Sequence, residues 1–190
     1  KDSLSVSNFF RQMVPDLSNH QLDVTALDAM ARKIGDHVLV THSAGGFPGW
    51  MAAMNNPEVK GVVALEPGGF PFPENEMPEA LPGLTGGLAG VPVAAECFAE
   101  LTRKTIVIYF GDFIPQSGAT TLGGSNWEVR LKMAREFVDV INRHGGNATL
   151  VVLPEVGIKG NSHFLMQEFN NDVIAAHVAQ WLDNNGLSKH

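Results

Sequence analysis

His37-Val38-Leu39-Val40-Thr41-His42-Ser43-Ala44-Gly45-Gly46 is the stretch on which the reading of this chain turns. The apolar run His37–Val40 predicts a short buried strand. Gly45-Gly46 predicts the start of a helix that ends at Asn56-Pro57, since the residue before a proline is driven out of the helical region. A serine at such a strand-to-helix turn projects its Oγ, while the following N–H groups and the positive end of the helix face developing negative charge. Ser43 is therefore the candidate nucleophile, and the backbone N–H of Ala44 a candidate oxyanion donor. The usual pattern is G-x-S-x-G; here Thr41 replaces the first glycine, and a β-branched residue crowds the turn. The plain alternative is a serine N-cap on an ordinary βα turn.

Outward from this turn, strand and helix signals alternate. Residues 1–20 show no period and read as an irregular lead-in. Val24, Leu27, Met30, Ala31 and Ile34 follow helical spacing over 21–34, with Gly35 as a stop. Strands are predicted at 61–65, 105–110 and 148–153. A capping box, Ser125-Asn126-Trp127-Glu128, predicts the start of a helix with Trp127, Leu131, Ala134, Val138 and Ile141 on one face, closed by Gly145. An amphipathic helix is predicted over 171–184, with Ile174, Val178 and Trp181 inward. Continuous aliphatic strands between helices point to an α/β domain, a mostly parallel sheet with helices on both faces. The rhythm breaks between Pro67 and Glu100, where prolines and glycines cluster; so long a loop in a compact domain is expected to act as a lid.

At 190 residues the chain is expected to form one domain, 1–190. A formal charge of −7 argues against a nucleic-acid partner, and no apolar run reaches the roughly 20 residues that span a bilayer. The lone Cys97 excludes an internal disulfide framework and leaves the compartment open, secreted and periplasmic included. There is no H-x-x-x-H and no cysteine-histidine cluster, so neither metal nor other cofactor is expected.

A serine nucleophile needs a base and an acid from the same sheet edge. His163 follows the last strand in the run Gly157-Ile158-Lys159-Gly160-Asn161-Ser162, just before the terminal helix, and is the candidate base. His144 sits in the last turn of a helix and His177 on the closing helix; His20, His37 and His190 read as surface or boundary residues. His42 flanks the nucleophile, points away from Oγ and is expected to shape the substrate pocket. Two carboxylates compete as the acid: Glu66 ends the strand after the nucleophile strand, and Asp112 ends the next. Spacing does not decide between them, and either can be a turn carboxylate that accepts backbone N–H groups.

Taken together, Thr41-His42-Ser43-Ala44-Gly45-Gly46, Leu65-Glu66-Pro67-Gly68-Gly69, Tyr109-Phe110-Gly111-Asp112-Phe113-Ile114-Pro115 and Gly160-Asn161-Ser162-His163-Phe164 resemble the α/β-hydrolases of the esterase 713-like group, from about Phe10 onward. The resemblance implies a Ser43–Glu66–His163 triad, with Glu66 preferred to Asp112, and a serine esterase that works through an acyl-enzyme. A lactonase, a carbon-carbon hydrolase or a ligand-binding member of the fold are the alternatives. It also implies strands before the nucleophile strand, which the 42 residues ahead of Ser43 leave no room for. The chain is thus expected to be the C-terminal portion of such a domain. A companion polypeptide with the N-terminal strands, or a homo-oligomer, would complete the sheet and supply the second oxyanion donor. A small-molecule ester or lactone is the expected substrate. Phe70 and Phe72, in the 67–100 segment, are the preferred substrate contacts; Phe47, Trp50, Phe113 and Phe164 are further candidates for an apolar pocket.

Overall fold

The computed structural model describes residues 3–11 and 20–188. Its strands are β1 (His37–His42), β2 (Val59–Leu65), β3 (Pro71–Pro73), β4 (Val91–Val93), β5 (Thr105–Phe110) and β6 (Asn147–Val152). The helices are α1 (Ser3–Arg11), α2 (His20–Ile34), α3 (Gly46–Asn55), α4 (Ala95–Leu101), α5 (Leu122–Arg143) and α6 (Asn171–Asn184). β1, β2, β5 and β6 form one parallel sheet in that order, and β3 pairs with β4 in a second, parallel pair.

Strand residues alternate between two faces, and along the central strands β2 and β5 both faces are buried. Val62, Ala64, Ile106, Ile108 and Phe110 join the larger core with side chains of α3, α4 and α5, while Val63, Leu65, Val107, Tyr109 and Val151 join a second core with Leu165 and Ile174. That burial on both sides is why the strands read as unbroken aliphatic runs. Phe137 of α5 anchors the larger core, with the rings of Trp50, Phe70, Phe72 and Phe98 5.1 to 6.2 Å away. Truncation of a ring so enclosed costs about 3–5 kcal/mol. On the other face, the Tyr109 hydroxyl is hydrogen-bonded with His177 Nδ1 at 2.9 Å, and burial pushes its pKa up to about 12.

Some boundaries differ from the sequence reading. The lead-in holds a helix, α1, whose Leu4 and Phe10 are exposed, rather than an irregular segment. His190 and residues 12–19 of the lead-in lie outside the described residues. The capping box at Ser125 does not start α5; Thr121 does, accepting the Gly124 N–H on its side chain. Ser125 Oγ instead accepts the Leu84 N–H at 2.9 Å, and Glu128 accepts the Ala119 N–H at 2.8 Å. Tertiary partners have claimed both capping groups. The 67–100 segment contains β3, β4, α4 and an isolated bridge, Leu81 to Leu88, rather than a structureless loop.

Register sets up the functional edge. His42 pairs with Leu65 and Leu65 with Tyr109, so the residues just past these positions, Ser43, Glu66 and the Phe110-Gly111 step, emerge side by side at the carboxyl ends of the strands. Ligand sites of open α/β sheets lie at this edge. Among the described residues, no strand pairs with the outer edge of β1, where Val40 is 61% exposed. No described helix is long and apolar enough to cross a membrane.

Candidate active site

Ser43 leaves β1 with φ +53° and opens a single 3-10 turn, Ser43–Gly45, that runs into α3. Non-glycine residues rarely adopt this left-handed backbone, and it persists where neighbours enforce it. Here the Gly68 N–H donates to Ser43 O at 2.9 Å. The crowding expected from Thr41 is relieved by Gly49, one turn into α3. A Cβ at Gly49 would stand 2.4 Å from Thr41 Cγ2, so the missing side chain of the helix makes room for the branched one of the strand.

Glu66 has the same unusual backbone, φ +42°, with its N–H bonded to Tyr109 O at 2.8 Å. Its residue is 1% exposed. A buried carboxylate must have its oxygens satisfied. Oε1 accepts the Gly111 N–H at 2.7 Å, and Oε2 lies 2.6 Å from His163 Nδ1. His163 Nε2 lies 2.8 Å from Ser43 Oγ. With Nδ1–H donating to the carboxylate, Nε2 is left as an acceptor for the serine hydroxyl, the tautomer a general base requires.

Asp112, the competing acid, makes none of its hydrogen bonds to His163. Oδ2 accepts the Gly160 N–H at 2.9 Å and Oδ1 the Phe113 N–H at 2.7 Å, and these bonds hold its carboxyl below the ordinary aspartate range. It fastens the loop that carries His163. Further ties grip that loop: Asn161 O accepts the Asp112 N–H at 2.7 Å, and the Asn161 and Asn170 amides bond each other reciprocally at 2.6 and 3.0 Å. Glu168 Oε1 accepts the Ser162 N–H at 3.1 Å. The imidazole therefore rests on an over-determined loop, as a preorganised site demands.

One expectation for the side chains around the site needs correction. Phe70 and Phe72 are not substrate contacts: both are fully buried against Phe137, because apolar rings in the proline-rich segment serve to pin it to the core. His42 points away from Oγ as expected, but its Nε2 donates to His163 O at 2.9 Å, and its ring lies 4.5 Å from the His163 ring. It packs against the His163 imidazole and holds the backbone of its loop. Trp50 is fully buried and donates Nε1–H to Gly69 O at 3.1 Å. Ala44 lies at the foot of α3, exposed, where the helix dipole favours negative charge.

Sequence reasoning missed Trp127, placing it simply on the core face of a helix. Its ring stacks on His163 with centroids 4.2 Å apart at 37°, and the Arg130 guanidinium lies over it at 5.4 Å. The imidazole is thus held between Trp127 and His42. Its one signal in the sequence is an aromatic residue near the start of the helix after β5, at the functional edge. A small cavity of about 170 Å³, lined by Glu66, Asp112, Phe113, Trp127 and His163, opens beside the imidazole. Among the described residues, no three His, Cys, Asp or Glu side chains converge as a metal site would require.

Comparison with known proteins finds similarity to a lipase and to an esterase. The chain is 30% identical over 184 residues to a probable secreted lipase of a fungal species, a match that covers 86% of this chain and 50% of that protein. The solved structure of a novel bacterial esterase superposes with a TM-score of 0.71 at 28% identity, covering 96% of this chain and 49% of that one. The chain thus spans about half the length of these two relatives. No protein-family profile matches it.

Proposed function

We propose that this chain carries the catalytic residues of a serine esterase of the α/β-hydrolase type, which cleaves carboxylic esters through an acyl-enzyme. The observation that carries the reading is the continuous relay from Ser43 Oγ through His163 to Glu66, at 2.8 and 2.6 Å, with serine and carboxylate both on strained strand ends. The kinship with a lipase and an esterase supports it.

Ser43 Oγ attacks the ester carbonyl as His163 Nε2 takes its proton, and the Ala44 N–H binds the oxyanion of the tetrahedral intermediate. Collapse of the intermediate expels the alcohol, which receives that proton from His163. Water then repeats the sequence on the acyl-serine. Glu66 keeps the imidazole in the productive tautomer and stabilises its charged form. Asp112 acts through the loop, as a positioning residue. The part of the 67–100 segment around Leu88 serves as the lid.

The same reading assigns a partner to the open sheet edge. A strand from polypeptide beyond these 190 residues pairs with β1 and covers the apolar groove of about 420 Å³ lined by Val40, Leu65, Met166 and Val178. That polypeptide is also the source of the second oxyanion donor. Slow hydrogen exchange at the outward amides of β1 in the full-length protein is expected; rapid exchange there would contradict the pairing.

Ester turnover by the full-length protein and by Ser43→Ala tests the function. Removal of the nucleophile is expected to lower kcat by about 10⁴- to 10⁶-fold. A Ser43→Ala protein with undiminished turnover would end the proposal.

A further inference from the structure

A second cavity, of about 370 Å³, shares no lining residue with the one beside Trp127 and His163. Its walls are Ala44 and Phe47 from the nucleophile turn and α3, Gly68 and Gly69 from the loop after β2, and Leu88 and Val91 from the 67–100 segment. No charged side chain lines it. It begins at the residue whose N–H faces the oxyanion, and Gly68 is hydrogen-bonded to Ser43 O. The 170 Å³ cavity, by contrast, begins at His163.

We infer that the larger cavity is the acyl pocket and that it selects uncharged acyl groups of medium length, or acyl groups that bear a ring. The inference rests on the esterase reading and gives it a substrate class. Protonation of the leaving oxygen by His163 Nε2 requires the alcohol to depart on the His163 side, toward Trp127. The acyl carbon stays bonded to Ser43 Oγ with its oxygen at the Ala44 N–H; its chain takes the remaining direction, away from the departing alcohol, and the cavity bordered by Ala44, Gly68 and Gly69 receives it. At roughly 30 Å³ for each water-sized group, 370 Å³ has space for on the order of ten carbon-sized groups before packing losses. A carboxylate or ammonium on the acyl chain would be stripped of water there with no partner, and is rejected. The inner wall is rigid: Gly69 O is held by Trp50 Nε1–H, and Phe70 next to it is fully buried.

Gly69 sets the depth. It lines the cavity, a Cβ built there meets no atom within 4 Å and its φ lies outside the left-handed region, so a side chain is accommodated without displacing the fold. Ala89, on the exposed outer wall, offers a second position from which to fill the same space.

The test uses p-nitrophenyl esters from acetate to dodecanoate, and a second series with acetyl held constant and the alcohol varied, on the full-length protein. For the wild type, kcat/KM is expected to rise with acyl length to about six to ten carbons and then fall. Gly69→Leu and Ala89→Leu are expected to lower the octanoate-to-acetate ratio of kcat/KM at least about tenfold, through lost burial of the distal methylenes, and to leave the order of preference among alcohols unchanged. If Gly69→Leu fails to fold, Ala89→Leu carries the same comparison. Equal losses at every acyl length, or a change confined to the alcohol series, would overturn the acyl assignment while leaving the esterase intact. Absence of ester turnover in the wild type would overturn both.

Discussion

Glu66 and Gly111 meet across the ends of β2 and β5, where the Gly111 N–H donates to Glu66 Oε1 at 2.7 Å and so leaves Oε2 to face His163 Nδ1. The geometry requires that position 111 have no side chain. A Cβ there would stand 2.6 Å from Asn161 O and 2.9 Å from Glu66 Oε1, pressing at once on the loop of His163 and on the Glu66 carboxylate. Gly111→Ala is expected to lower kcat on the order of 10²-fold, the usual effect of a displacement of about 1 Å at a reacting centre. Steady-state kinetics beside a melting curve checks this; wild-type kcat in a folded variant would show that the Glu66 position is not critical.

The two carboxylates at the strand ends are expected to separate on substitution. Glu66→Gln removes the charge that orients the imidazole and should lower kcat by about 10⁴-fold. Asp112→Asn should have a far smaller effect on kcat and a distinct pH signature. Because the Gly160 and Phe113 N–H groups hold the folded-state pKa of Asp112 below its unfolded value, its contribution to stability is present above the ordinary aspartate pKa of about 4 and is lost as pH falls through the lowered value. The gap in Tm between wild type and Asp112→Asn should therefore close below about pH 4. A larger kcat loss from Asp112→Asn than from Glu66→Gln would reverse the assignment.

Much of this edge could be read from the chain. The apolar runs ending at Ser43, Glu66 and Asp112 give the strand ends and their order, since strands buried on both faces leave continuous aliphatic signals. The choice between Glu66 and Asp112 could not be read from spacing, because it depends on which side chain turns inward: φ +42° at Glu66 directs one carboxylate to His163, and two backbone N–H groups retain the other. The role of Phe70 and Phe72 was hidden for another reason. Proline and glycine around them mask the lack of alternation, and their contact with Phe137 spans more than sixty residues of chain. The box at Ser125 shows local signals yielding to Leu84 and Ala119, partners that no local pattern contains.

Trp127 is expected to act on rate through the ring it supports. Loss of an aromatic face against an imidazolium is worth about 0.5–2 kcal/mol, or a fall in kcat of roughly 2- to 30-fold in Trp127→Leu. Trp127→Phe retains a face and should recover most of it. Equal activities in the two variants would mean that stacking at 4.2 Å contributes nothing to turnover.

Tyr109 gives an alkaline marker for the opposite face of the sheet. Its hydroxyl, with a pKa near 12 when folded against about 10 when exposed, contributes stability that is complete below pH 10 and is lost as pH rises toward 12. A difference titration of tyrosinate absorbance between wild type and Tyr109→Phe should show no ionisation near pH 10 while the protein is folded. A transition at pH 10 in the folded protein would contradict the burial of this side chain.

Covalent labelling reads the central assignment most directly. A fluorophosphonate probe is expected to modify the full-length protein at Ser43, as located by peptide mass spectrometry, with labelling lost in Ser43→Ala and strongly slowed in Glu66→Gln. Labelling at another residue, or labelling that survives Ser43→Ala, would contradict the relay of Ser43, His163 and Glu66 as the catalytic centre.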